Sequence, residues 1–374
     1  MLPAQYGSSL NLSDVFRSAE LSLKGQENPL KLPKVASALV ILVDGLGFLN
    51  LRQQYKGFLS SKMQDGDFAI CGFPSTTTSS ITSFATGKSV SQHGFFGYTI
   101  FNRSTNETVN MLSGLDRLSV LEYLKSEPIS SQSKLPVHAV TLSEYEDSGF
   151  TRVTMQGARH HFAKNIDERL RLALQVATSE RGSLTYVYIP ELDKIAHKSG
   201  VASQEWREKF ERVDACIREI ASALPTEFGV LVTADHGVLD IDAISHIYLD
   251  EFLDCDDSLL SVCGDPRAPF LYFNNSVDVG SLQSRLVQQL QGNAFVLTPI
   301  ELVEHGYWSA EMLQDDDLLP DLVVMASQQV AFFHRKFSTQ ASQKMIGHHG
   351  SMSETEVKVP LIRLGGYSSS LLVP

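Results

Sequence analysis

Short, nearly continuous apolar runs alternate with amphipathic stretches over the first two-thirds of the chain. Ala36–Val43, Val137–Leu142 and Leu184–Ile189 lack polar alternation, as does a run opening at Phe228 and ending at Asp235. Strands of this kind are buried on both faces, the pattern of a parallel sheet. Phe68–Phe73 is a further strand candidate. Helices are predicted near Leu12–Leu23, Leu115–Leu124 and Ile166–Ser179, the last following a helical start that takes in His160 and His161. Gln204–Leu224 has apolar residues at Phe210, Val213, Ile217 and Ile220, one face of a long helix. Strands alternating with helices imply an α/β fold: a doubly wound, mostly parallel sheet flanked by helices.

Residues 246–340 change character. Pro269–Phe273, a helix over Val279–Gln291 and Ala294–Thr298 read as a compact β-α-β unit, hence a small α+β insertion or cap. Residues 1–245 then form the first part of the core and 341–374 its return, with Leu322–Ala326 and Pro360–Leu364 expected to rejoin the main sheet. The acidic groups Asp254, Asp256, Asp257 and Asp315-Asp316-Asp317 flank the insertion and read as solvated loops.

A chain of 374 residues, 43% hydrophobic and 20% charged, has the composition of a soluble globular enzyme. Its net charge of −12 argues against a nucleic-acid duplex as partner. Cys71, Cys216, Cys255 and Cys263 form no Cys-x-x-Cys pair, so they read as incidental thiols of a reducing compartment. No secretion signal or membrane-spanning run is visible, which makes the cytoplasm the expected location.

The chemistry lies where strands end. Asp44 follows the first strand, Asp193 and His197 follow Leu184–Ile189, and Asp235-His236-Gly237 closes the run that opens at Phe228. His348-His349-Gly350 sits in a glycine-flanked turn. Asp193 and His197, spaced i, i+4, share one helical face. Asp235-His236 alone reads equally as a polar strand end whose Asp caps a turn. Together the segments offer three Asp and three or four His at one sheet edge, a donor set suited to two divalent metals. Ser75-Thr76-Thr77-Thr78-Ser79 opens a helix. Alone it reads as N-capping; beside metals it supplies a hydroxyl nucleophile.

In order, these segments resemble the type I phosphodiesterase/nucleotide pyrophosphatase branch of the alkaline phosphatase superfamily. Asp44-Gly45, Thr77 lying nine residues before Thr86-Gly87, His93-Gly94, Glu191-Leu-Asp193-Lys-Ile-Ala-His197-Lys-Ser-Gly200, Asp235-His236-Gly237, His349-Gly350 and Val359-Pro-Leu361 all match. Gly264-Asp-Pro-Arg267 is similar to a Gly-Glu-Pro-Arg stretch of bacterial members. The resemblance implies hydrolysis of phosphodiester or pyrophosphate bonds in a small phosphate ester or nucleotide, through a covalent intermediate on Thr77. It implies one metal held by Asp193, His197 and His349, and another held by Asp44, Asp235 and His236 with Thr77 on or near it. The imidazole share points to zinc, with manganese or iron as alternatives. Three carboxylates against two divalent ions leave a net positive site in an acidic chain, which suits a phosphate anion.

Where the family often carries Phe-Pro-Asn after the nucleophile, this chain has Thr78-Ser79-Ser80; Leu192 and Ala196 replace a Pro and a Gly. The metal set is intact and the substrate is left open. Phosphomonoesterase and phosphonate hydrolase chemistry are the rival readings, and a non-catalytic metal- or phospho-ligand-binding protein is the alternative of another class. Ser80, Phe95, Tyr98 and His246 are the candidate substrate contacts, with core packing the rival role for Phe95, Phe96 and Tyr98. His348 is the candidate support for the ligand histidines, and His138 reads as a packed strand residue.

Overall fold

In a computed structural model, residues 10–253, 258–314 and 317–368 are described. Cys255, Asp254, Asp256, Asp257, Asp315 and Asp316 lie outside them. The main sheet is built from β1 (Ser37–Val43), β2 (Val137–Leu142), β3 (Arg159–Ala163), β4 (Leu184–Ile189), β5 (Phe228–Thr233) and β6 (Ile362–Gly365), in the spatial order β6-β5-β1-β4-β2-β3. All pairings are parallel except that of β6 with β5. Every residue of β1, β4 and β5 is buried, which is why these strands show no polar alternation.

The expected helices are present as Leu12–Leu23, Arg117–Tyr123, Ile166–Ser179 and Gln204–Ala223. His160 and His161, expected at a helix start, lie instead in the edge strand β3. The helix begins later, where the Asn165 side chain accepts the Glu168 N–H at 2.9 Å. His138 is buried in β2 as read. The Phe68–Phe73 run shortens to Phe68–Ile70, paired with Lys358–Pro360.

A second, antiparallel sheet has four strands in the order Leu259–Asp265, Ala268–Phe273, Leu322–Ala326, Ala294–Leu297. Leu322–Ala326 therefore does not rejoin the main sheet; it separates the two strands of the anticipated β-α-β unit. A five-residue buried run reads the same in either sheet, so hydrophobic pattern alone does not assign it. Phe270, Tyr272, Val323 and Met325 face the main core, while Leu271, Phe273, Leu322 and Val324 face a second apolar cluster. Among the described residues no helix is long and apolar enough to cross a membrane.

Candidate metal centre

Strands β5, β1 and β4 are adjacent and parallel, so their carboxyl ends open side by side. Asp44 directly follows β1, and Asp235-His236 follow β5 by one residue. The helix Glu191–Ser199 leaves β4 through Pro190 and carries Asp193 and His197 on one face. His349 comes from the other end of the chain. It follows the short pairing of Gly347–His348 with Leu239–Asp240, and Gly347 is needed there because a Cβ would meet the Ala196 carbonyl oxygen at 2.6 Å. Gly237 is likewise fixed by close approach, since a Cβ would stand 1.9 Å from the Thr355 carbonyl oxygen.

The structure brings all six candidate ligands together. Donor atoms of Asp193, His197 and His349 lie within 4.8 Å of one another, as do those of Asp44, Asp193 and His236. Asp193 thus reaches both groups. His197 Nε2 is 2.9 Å from Asp193 Oδ2, and His349 Nε2 is 3.9 Å from Asp193 Oδ1. His236 Nε2 lies 3.4 Å from Asp44 Oδ1 and 3.5 Å from Asp235 Oδ2. The His236 and His349 rings stack with centroids 3.6 Å apart.

These residues fit a metal pair on two independent grounds. First, Asp44 Oδ1, Asp193 Oδ1 and Asp235 Oδ2 are buried without a hydrogen-bond partner, a costly state unless a cation completes it. Second, each candidate ligand histidine has its Nδ1 against a backbone carbonyl: His197 on Gly347 at 2.8 Å, His349 on Ser75 at 2.9 Å and His236 on Gly237 at 3.2 Å. A carbonyl only accepts, so Nδ1 carries a proton and Nε2 is the nitrogen turned to the centre, where a cation would take its lone pair.

The electrostatics agree. Burial, reinforced by the charges of Asp235 and Asp193, pushes the Asp44 carboxyl well above the usual carboxylate range. Burial also opposes charge on Asp193 and His197, but their mutual attraction outweighs it, lowering Asp193 and raising His197 to about 9. Burial, then the nearby His236, drives His349 well below the ordinary imidazole value. Carboxylates this crowded are relieved by divalent cations.

Thr77 opens a ten-residue helix, Thr77–Thr86, in which every residue is buried. Ser and Thr are indifferent helix formers, but here the Thr82 and Thr86 hydroxyls donate to the carbonyls of Thr78 and Thr82 at 2.6 and 2.7 Å. The Thr77 hydroxyl oxygen lies 3.1 Å from His236 Nε2.

The remaining candidates are dispersed. Ser80 is fully buried on that helix, with its Oγ unpartnered. Phe95 is in the core against Phe150, at 5.8 Å between centroids, while Tyr98 is 36% exposed. His246 lies against Phe333, and His348 is buried with its Nε2 on the Met345 carbonyl at 3.0 Å. His93 Nδ1 accepts the Phe95 N–H, so its Nε2 donates to Ser83 Oγ at 2.8 Å; this Ser–His pair ties the helix to the following turn and has no free base.

Two features escaped sequence reading. Tyr188, at the end of β4, donates from its phenol to Asp44 Oδ2. It also walls a cavity of about 540 Å³ shared with Leu112, Tyr145, Phe150, Met155 and Tyr186 and with the carboxylates Glu144 and Asp147; among the described residues no Lys or Arg lines it. The alternation of Tyr186 and Tyr188 within an apolar strand was the available signal.

A profile of the type I phosphodiesterase/nucleotide pyrophosphatase family matches residues 38–352. No curated protein sequence matches the chain. Among solved structures, murine ectonucleotide pyrophosphatase/phosphodiesterase 5, inactive and in complex with AMP, is similar at 15% identity and a TM-score of 0.68, covering 88% of each chain. The human counterpart matches at 15% identity and a TM-score of 0.68, covering 88% of this chain and 87% of that one. Phosphonoacetate hydrolase from Sinorhizobium meliloti 1021, in complex with phosphonoacetate, matches at 17% identity and a TM-score of 0.65, covering 89% and 91%. With the family profile spanning most of its length, the chain belongs to the type I phosphodiesterase/nucleotide pyrophosphatase family of metal-dependent phosphoester hydrolases.

Proposed function

We propose that the protein hydrolyses phosphodiester or pyrophosphate bonds with Thr77 as nucleophile. The observation that carries this reading is the Thr77 hydroxyl, 3.1 Å from His236 Nε2 at the rim of the carboxylate–imidazole cluster. Asp44, Asp235 and His236 would hold one ion, and Asp193, His197 and His349 the other; the histidine share favours zinc. Such ions lower the pKa of a bound hydroxyl and offset charge on phosphoryl oxygens. Thr77 Oγ1 would lose its proton to solvent and bond to phosphorus as the ester oxygen leaves with its electron pair and takes up a proton; water would then attack phosphorus, releasing the phosphoryl product and returning the Thr77 hydroxyl. The N-terminus of the Thr77–Thr86 helix adds partial positive charge for the anion.

The cavity beside Tyr188 supports a diester. It touches the centre through the Tyr188–Asp44 hydrogen bond, Tyr145, Phe150, Tyr186 and Leu112 give it an apolar wall, and among the described residues it has the carboxylates Glu144 and Asp147 but no cation for a further anionic group. An organic substituent retained on phosphorus fits there, as in a nucleoside 5′-phosphoryl group. The test is hydrolysis of bis-p-nitrophenyl phosphate, thymidine p-nitrophenyl phosphate, p-nitrophenyl phosphate and phosphonoacetate, with and without EDTA. Chelator-sensitive turnover of the two diesters is expected. Activity indifferent to EDTA, or confined to the monoester or the phosphonate, would overturn the proposal.

A further inference from the structure

The mechanism makes no use of Gly264-Asp265-Pro266-Arg267, the turn that joins two strands of the second sheet. Its charged side chains leave that sheet for the segments that carry the metal centre. Arg267 is 1% exposed and Glu356 fully buried. They meet as a fork, Nε to Oε1 at 3.0 Å and Nη2 to Oε2 at 2.8 Å. Arg267 Nη1 also donates to the carbonyls of Val330, at 2.7 Å, and Gln328. Glu356 in turn accepts the Ser351 N–H at 2.9 Å and the Ser353 hydroxyl at 2.5 Å, which folds the stretch just after His349 around one carboxylate. The Glu356 backbone carbonyl accepts the N–H of Gly237, next to His236, at 2.8 Å.

Asp265 grips the other side. Its Oδ1 accepts the hydroxyl of Thr76, next to Thr77, at 3.4 Å. It packs so closely on Gly350, next to His349, that a Cβ there would come within 2.8 Å of its own Cβ. The turn therefore meets the neighbours of Thr77 and His349 directly, and the neighbour of His236 through Glu356, three groups from distant parts of the chain.

We propose that this turn is a positioning element, in which the Arg267–Glu356 fork sets His236 against His349 and so completes the metal centre. The inference rests on the metal-dependent reading above. A buried charge pair of this kind contributes little net stability over apolar groups of similar size, whereas removing one partner strands a charge. The informative variant therefore replaces both, Arg267→Met with Glu356→Met. It removes the directional fork and leaves the backbone bond to Gly237 without its anchor.

The experiment titrates zinc alone into chelator-stripped protein against a chromophoric competitor, and follows thermal unfolding of the same metal-free samples. The double variant is expected to fold but to unfold at a lower temperature than the parent, because the Ser351 N–H and the Val330 carbonyl lose their partners, and to bind at least one of two ions about tenfold or more weakly, as for other changes behind metal ligands. Unchanged affinity for both ions in a folded double variant would overturn the proposal. If the double variant fails to fold, Arg267→Lys, which keeps the charge and loses the fork, is read the same way. Parent protein that binds no zinc would refute the metal reading as well, whereas two ions bound alike by parent and variant refute this inference alone.

Discussion

The Thr77 hydroxyl and His236 Nε2 stand 3.1 Å apart although 159 residues separate them in the chain. The sheet makes the meeting possible: His236 follows a central strand, and Thr77 opens a helix whose first residue meets the end of that strand. If Thr77 is the nucleophile, Thr77→Ala should bind the metals with unchanged stoichiometry and lose on the order of 10³-fold or more in kcat. Thr77→Ser, which keeps the oxygen, should retain measurable turnover. Near-normal rates in Thr77→Ala would remove Thr77 from the chemistry.

Asp193 is the residue that both groups of ligands share. Asp193→Ala should therefore weaken both ions, whereas His349→Ala should cost one. Elemental analysis after dialysis against metal-free buffer distinguishes the two. A full complement of two ions in His349→Ala would show that this histidine is not a ligand.

Tyr188 tests how the ligands are held. Its phenol donates to Asp44 Oδ2, the carboxylate whose other oxygen lacks a partner. Tyr188→Phe keeps the ring that walls the cavity and removes only the donor. Metal affinity should fall by about 10- to 100-fold. Stability of the metal-free protein should change by roughly 1 kcal/mol. Affinity equal to that of the parent would assign the phenol to packing.

What the sequence made legible followed from physics that is local along the chain. Uninterrupted apolar runs identified β1, β4 and β5, because strands buried on both faces need no alternation. The ionisable residues at their ends stood out because packing does not require them there. What it concealed was pairing across distance. Leu322–Ala326 has the composition of a main-sheet strand and lies in the other sheet. Tyr188 reads as one more apolar strand position until its hydroxyl is seen on Asp44. Arg267 and Glu356 are 89 residues apart, and neither residue alone signals a buried fork. His160 and His161 show the local limit: beside a strong helix pattern, a short edge strand lost its own weak signal.

His93 gives a prediction in pH. It is fully buried, and burial holds its imidazole down to about 3, against an ordinary value of 6.5. Above pH 6.5 neither the folded nor the unfolded chain protonates this residue, and its native arrangement contributes in full. Below that value the unfolded chain takes up a proton that the native site refuses, so stability is lost as pH falls toward 3. The slope is about 1.4 kcal/mol per pH unit for one such group. Replacing His93 with Gln keeps a donor for Ser83 and removes the titration. The variant should be less stable at pH 7 by about 1–2 kcal/mol, having lost the acceptor for the Phe95 N–H, yet this deficit should shrink by roughly 1.4 kcal/mol per unit as the pH falls below 6, so that it closes and reverses sign before pH 4. Urea unfolding of the metal-free proteins at several pH values measures the gap directly. A constant difference across that window would mean that the native fold accommodates a charged His93.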